Sequence, residues 1–156
     1  MTGSQATSVA RQGARGCSIC VAGARVVTTN SLRGALARWR RPLRLAAALL
    51  AVALPLGLFV GGAQPVAVGL VPAPWDKLLH ALVFAVLAAA MGYASGLRGG
   101  RVLLLAFGGA LAVGLVDEWH QLHLPGRSAG WDDLAADAVG AGLGAGLARL
   151  VAPRQP

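Results

Sequence analysis

The sequence predicts an all-α membrane protein: four transmembrane helices preceded by a flexible basic N-terminal arm. Three observations lead to that fold class. The first is composition. Of 156 residues, 56% are hydrophobic and 13% charged, and the mean hydropathy is +0.62. That balance lies outside the range of soluble domains and argues against a water-soluble globular enzyme. The second is the recurrence of four apolar stretches, each long enough to cross a bilayer with about 20 residues. Together they use most of the chain, so any chemistry has to sit among the helices. The third is the placement of charge. The net charge of +8 is carried by Arg11, Arg15, Arg25, Arg33, Arg38, Arg40, Arg41 and Arg44, with no acid among them. A basic run ending at a hydrophobic span fits anionic lipid and membrane topology better than nucleic acid.

Residues 1–42 are rich in Ser, Thr, Gly and Arg without sustained periodicity and read as the arm, with Ser31 to Arg41 suited to an interfacial helix. Residues 43–152 form the membrane domain. Its first span covers about residues 45–62 and is expected to stay uncleaved, because it starts too late and runs too long for a signal peptide. Pro55 in its middle is tolerated in lipid where freed backbone groups find new partners. A loop with Pro65, Pro72 and Pro74 follows, the last placed where a helix can begin. The second span covers about 78–97, and the glycine-rich SGLRGGR from Ser95 to Arg101 turns the chain into a third at about 102–122. After a loop with Pro125 and Gly126, the fourth covers about 134–151; Asp137 and its glycines make it the weakest by hydropathy.

Twelve of the 14 basic residues fall on one side of this arrangement: the arm, Arg98, Arg101, Arg149 and Arg154. Lys77 and Arg127 fall on the other, together with all six acids. Lys and Arg are enriched on the cytoplasmic side, so both termini are expected in the cytoplasm of a multi-pass cell-membrane protein. Counting back from the cytoplasmic arginines, His80, Asp117 and Asp133 lie 16 to 18 residues away. At 1.5 Å per residue that places them at a common depth of about 24 to 27 Å, in the outer part of the membrane. Residues three or four apart share a helix face. Asp76, His80 and Phe84 make one stripe, Asp117 or Glu118 with Gln121 a second, and Asp133, Asp137, Gly140 and Gly144 a third. Six ionised acids beside two bases leave a formal charge of minus four at low dielectric. Retained protons, a charged histidine or a bound cation must offset it. Histidine and carboxylates are capable metal ligands, but their spacing matches no zinc motif, so metal and cofactor stay open.

Several signals have plainer readings. Cys17 and Cys20 make a single C-x-x-C with no second pair, and the histidines are expected across the membrane from it. Gly140 with Gly144, and Gly142 with Gly146, fit close helix packing. Trp39, Trp75, Trp119 and Trp131 fit interfacial anchors at span ends.

WDKLLHALVF from Trp75, VDEWHQLHLPGR from Val116 and DLAADAVGAGLG from Asp133 resemble, in this order, the three signature blocks of VanZ-like membrane proteins. The resemblance spans about residues 75–147. It implies functional roles for Asp76, Lys77 and His80 in the first block, and for Asp117, Glu118 and Gln121 in the second. It extends to Arg127 after Pro-Gly, and to Asp133 and Gly140; Asp137 stands where the family often has Asn. It also implies a cell-envelope role linked to resistance to glycopeptide antibiotics of the teicoplanin type, without assigning a reaction.

Two functions follow as expectations. In the favoured one, an outward-facing polar pocket binds a polar or anionic envelope ligand, such as a lipid-linked wall precursor or a glycopeptide. Lys77 and Arg127 hold its anion, Asp76 and Glu118 position these bases or bind sugar and amide groups, and Gln121 donates hydrogen bonds. In the alternative, a membrane-embedded hydrolase or transferase, metal-dependent or not, acts on a lipid-linked substrate. Asp117 or Glu118 is then the base, His80 the acid or ligand, and Arg127 the charge stabiliser. A proton relay fits less well, because the inner halves of spans two and three are almost free of polar residues. Membrane lipids are the expected partners and nucleic acid is not. The topology has a direct test. A cysteine introduced by Ala129→Cys should react with an impermeant thiol reagent in intact cells, and Cys17 should not; the reverse pattern would invert the orientation.

Overall fold

The computed structural model describes residues 29–127 and 130–151, with side chains from Arg38 onward. Every described element is helical: α1 (Thr29–Gly62), a short 3-10 turn (Pro65–Ala67), α2 (Trp75–Ser95), α3 (Gly100–Gln121) and α4 (Trp131–Val151). Of residues 1–35, only the start of α1 is described; residues 36–156 hold the bundle. Four helices are long and apolar enough to cross a membrane, with α1 contributing Arg38–Gly62. The fold class is therefore an all-helical membrane protein with four spans.

Element boundaries differ from the sequence expectation for local reasons. The helix expected from Ser31 to Arg41 is continuous with the first span through Pro42, so α1 covers part of what reads as an arm. α2 starts at Trp75, after Pro74, three residues earlier than hydropathy places it. It stops at Ser95, before Gly96, whose φ of +64° closes the helix through a bond from its N–H to Tyr93 O. α4 likewise begins at Trp131 rather than near Leu134. Both early starts add a polar first turn, which hydropathy alone reads as loop. Asp76, Asp132 and Asp133 thereby enter helices at their N-terminal ends, where acidic groups complement the helix dipole.

Packing follows membrane rather than aqueous logic. Large apolar side chains such as Leu49, Val60, Leu104, Leu143 and Leu150 point outward, as expected when hydrocarbon is the solvent. Seven of the ten buried hydrophobic residues are alanines, because without a hydrophobic drive between helices, close backbone approach supplies the attraction. Phe84 and Leu87 of α2 fill the centre, with Ala106 and Ala110 of α3 and Ala141 and Ala145 of α4 around them. α2 and α4 form the tightest pair. A Cβ at Gly140 would overlap the Ala81 carbonyl, and one at Gly144 the Ala85 carbonyl. Gly142 and Gly146 have open space at the same test, so only one of the two glycine pairs serves packing. α1 stands apart from this trio: its hydrophobic span contributes no fully buried residue, and Ala51, Leu54 and Leu58 reach the core only at its edge.

Gly144→Ala is expected to destabilise the protein by at least about 1–3 kcal/mol, the usual cost of overpacking. Gly142→Ala should leave thermal unfolding in detergent unchanged. Equal melting temperatures for the two variants would contradict this α2–α4 seam.

Candidate functional site

The polar residues gather at one end of the bundle, where α2 and α4 begin and α3 ends. At the rim, Lys77 Nζ pairs with Asp76 Oδ2 at 3.0 Å, with Asp132 Oδ2 at 2.9 Å and with Asp133 Oδ1. Asp76 Oδ1 also accepts the Lys77 backbone N–H at 2.9 Å. One ammonium thus gathers three carboxylates and ties the first turn of α2 to the first turn of α4. Asp133 is the best covered of the three, at 14% exposure, whereas Asp132 is 68% exposed.

One turn deeper, His80 Nδ1 lies 2.9 Å from Asp137 Oδ1. With Asp137 ionised and no ion between the two groups, this contact places the proton on Nδ1 and leaves Nε2 of the neutral imidazole as an acceptor. The ring of Phe84 stacks near-parallel to this imidazole, with centroids 6.4 Å apart. Asp137 is completely buried. Its room comes from α3: a Cβ at Gly114 would lie 2.8 Å from Asp137 Oδ2. That oxygen has no hydrogen-bond partner among the described residues.

The C-terminal turn of α3 supplies the third wall. Gln121 Nε2 donates to Asp117 Oδ2 at 3.0 Å, one helical turn back. Glu118 Oε2 accepts the Gly130 backbone N–H at 2.8 Å, which ties the loop before α4 to α3, while Glu118 Oε1 is buried without a partner among the described residues. Arg127 Nη2 donates to the Gly62 carbonyl at 3.2 Å and holds that loop to the end of α1. Its Nε is buried and likewise unpartnered.

These groups border a cavity of about 560 Å³. Its lining combines Leu54 and Leu58 of α1 and Leu79 and Val83 of α2 with Lys77, His80, Asp117, Gln121, Arg127 and Asp133. Seven of the nine residues expected from the sequence border this space, Asp76 being the seventh. Glu118 and Asp137 do not border it; both are buried. They join His80 instead: one donor atom from each of His80, Glu118 and Asp137 lies within 4.8 Å of the others. These are the residues able to hold a metal. Lys77 is engaged by three acids, so the cation with an unused donor is Arg127. Spacing did not point to Gly114, or to the backbone groups of Gly62 and Gly130. A glycine one turn before an intramembrane acid is the only trace the first leaves in the sequence. Cys17 and Cys20 lie outside the described residues.

Removing Lys77 leaves three carboxylates facing one another. Lys77→Ala should lower the melting temperature clearly, though by less than the about 3–5 kcal/mol of a fully buried pair, because the Lys77 side chain is 30% exposed. Asp133→Asn should cost less than Lys77→Ala, and Asp132→Asn little, in the order of their burial. A melting series in detergent that reversed this order would show that the cluster does not join the two helices.

A family model described as VanZ/LLP1 matches residues 25–152, a stretch that takes in all four helices, the cavity and every residue of the polar cluster. No curated protein and no solved structure matches the chain. On this match the chain belongs to the VanZ/LLP1 family.

Proposed function

We propose that this protein binds an amphipathic envelope lipid, its polar head at the charged end of the cavity and its chain along the apolar wall. A lipid-linked wall precursor, with sugar hydroxyls and a phosphate, has the matching chemistry. One observation carries the reading: a single cavity of about 560 Å³ is lined both by aliphatic side chains, among them Leu54, Leu58, Leu79 and Val83, and by polar ones, among them His80, Asp117, Gln121 and Arg127. Few ligands other than lipids need both surfaces in one space. Arg127 offers the headgroup anion a buried N–H that lacks an acceptor among the described residues, and Asp117 accepts from hydroxyl or amide donors. Lys77 serves as the tie between α2 and α4 rather than as an anion receptor, so the anion falls to Arg127. The one-sided count of arginines supports placing this end outside the cell, where such precursors are used. Sequestering or displacing a wall precursor there would link the protein to glycopeptide sensitivity.

Native mass spectrometry of the full chain in detergent tests the reading with a polyprenyl phosphate and its neutral alcohol as probes. The phosphate should bind more tightly. Arg127→Gln should weaken it by about 10-fold or more, the worth of a charge-assisted hydrogen bond, and Arg127→Lys should restore it only in part. Gly57→Trp should abolish binding, because Gly57 borders the cavity and its Cβ position has open space, from which an indole extends into the cavity; its melting temperature, measured alongside, separates blocking from unfolding. Equal binding of phosphate and alcohol would rule out the anion subsite, and unchanged binding by Gly57→Trp would rule out the cavity.

A further inference from the structure

We infer that His80, Glu118 and Asp137 form a binding site for a divalent transition-metal cation, held between α2, α3 and α4 beside the cavity. The inference goes beyond the lipid reading and stands whether or not the cavity is filled.

The donor set is the first ground. One imidazole and two carboxylates, each from a different helix, bring their donor atoms within 4.8 Å of one another. An ion of this class holds nitrogen and oxygen at about 2.0–2.2 Å, so donors sharing one ion lie about 3–4 Å apart. The spread here closes with small side-chain rotations. Once an ion displaces the Nδ1 proton to Nε2, His80 Nδ1 and Asp137 Oδ1, at 2.9 Å, have the separation of adjacent ligands. A nitrogen ligand favours ions such as Mn²⁺, Co²⁺ or Zn²⁺ over Mg²⁺ and Ca²⁺, which take oxygen almost exclusively.

The second ground is independent of the grouping. Asp137 is fully buried and Glu118 is 8% exposed, yet Asp137 Oδ2 and Glu118 Oε1 have no hydrogen-bond partner among the described residues. Buried carboxylate oxygens are normally satisfied, and placing these two buried carboxylates side by side adds like-charge repulsion to desolvation. The one ammonium nearby, Lys77, is taken by Asp76, Asp132 and Asp133. A divalent cation meets both demands at once. Three protein ligands leave coordination positions open, and His80 belongs to the cavity wall as well as to the triad.

The test uses the full chain purified in detergent. Elemental analysis should find about one transition-metal ion per chain, as a three-ligand site holds. After stripping with chelator, Mn²⁺ or Zn²⁺ should raise the melting temperature and Mg²⁺ at equal concentration should not. Glu118→Gln and Asp137→Asn keep the side-chain shape while removing a charge. Each should weaken the binding of Mn²⁺ by about 10-fold or more, and the double variant Cys17→Ser/Cys20→Ser should bind as the natural chain does. Co²⁺ added to the stripped natural chain needs no variant: its visible spectrum should lack the charge-transfer bands of a thiolate ligand. Failure of Mn²⁺, Co²⁺ and Zn²⁺ alike to be retained or to shift melting would overturn the site. So would wild-type affinity in both carboxylate variants, or a thiolate spectrum for bound Co²⁺.

Discussion

The contact between the backbones of α2 and α4 is the constraint on which the rest depends. Only hydrogen at positions 140 and 144 lets α4 lie against the carbonyls of Ala81 and Ala85. The same face of α4 carries Asp137 and Asp133, one and two turns toward the helix start. Seating the glycines therefore also sets Asp137 against His80 and Asp133 against Lys77. Polar contacts do not draw these helices together so much as inherit a spacing that small residues impose. In lipid this order is sensible, since dispersion between closely packed backbones is the attraction available there.

From that seam outward the polar end divides into layers of different character. The rim is a set of ion pairs around Lys77, partly open to water. Beneath it His80 belongs to two environments, one facing the cavity and one facing Asp137 and Glu118. Arg127 and Glu118 then fasten the loop before α4, the first to the end of α1 and the second, through the Gly130 N–H, to α3. The polar groups lining the cavity are thus held by one another and by the helix ends around them.

Much of this was legible in the sequence because a membrane narrows the possibilities. Hydropathy located four spans, and helical rise from the arginines at the opposite helix ends put His80, Asp117 and Asp133 at one depth. The structure brings those three to one cavity. Period alone also put Asp133, Asp137, Gly140 and Gly144 on one face. It could not choose between Gly140 with Gly144 and Gly142 with Gly146, since both pairs have the same spacing and only the partner helix tells them apart. Helix starts were missed at Trp75 and Trp131 because a charged first turn lowers hydropathy while still favouring a helix. The grouping of His80, Glu118 and Asp137 was hidden most deeply, as it joins three helices and no interval along the chain records it. Nor does sequence say how loosely α1 is held, a matter of which faces meet rather than of how apolar they are.

The alanine-rich centre has an evolutionary consequence. In proteins with bulky cores, damage comes chiefly from truncation, which leaves voids. Here most of the covered positions, Phe84, Leu87 and Val102 apart, already carry alanine or glycine, so little can be deleted from them. Every replacement of Gly140 or Gly144, and nearly every replacement of Ala106, Ala110, Ala141 or Ala145, adds atoms where none fit. The set of acceptable sequences is therefore bounded from above in volume. Room for larger side chains on α2, α3 and α4 lies on their exposed sides, where residues such as Leu82, Leu104 and Leu143 already stand.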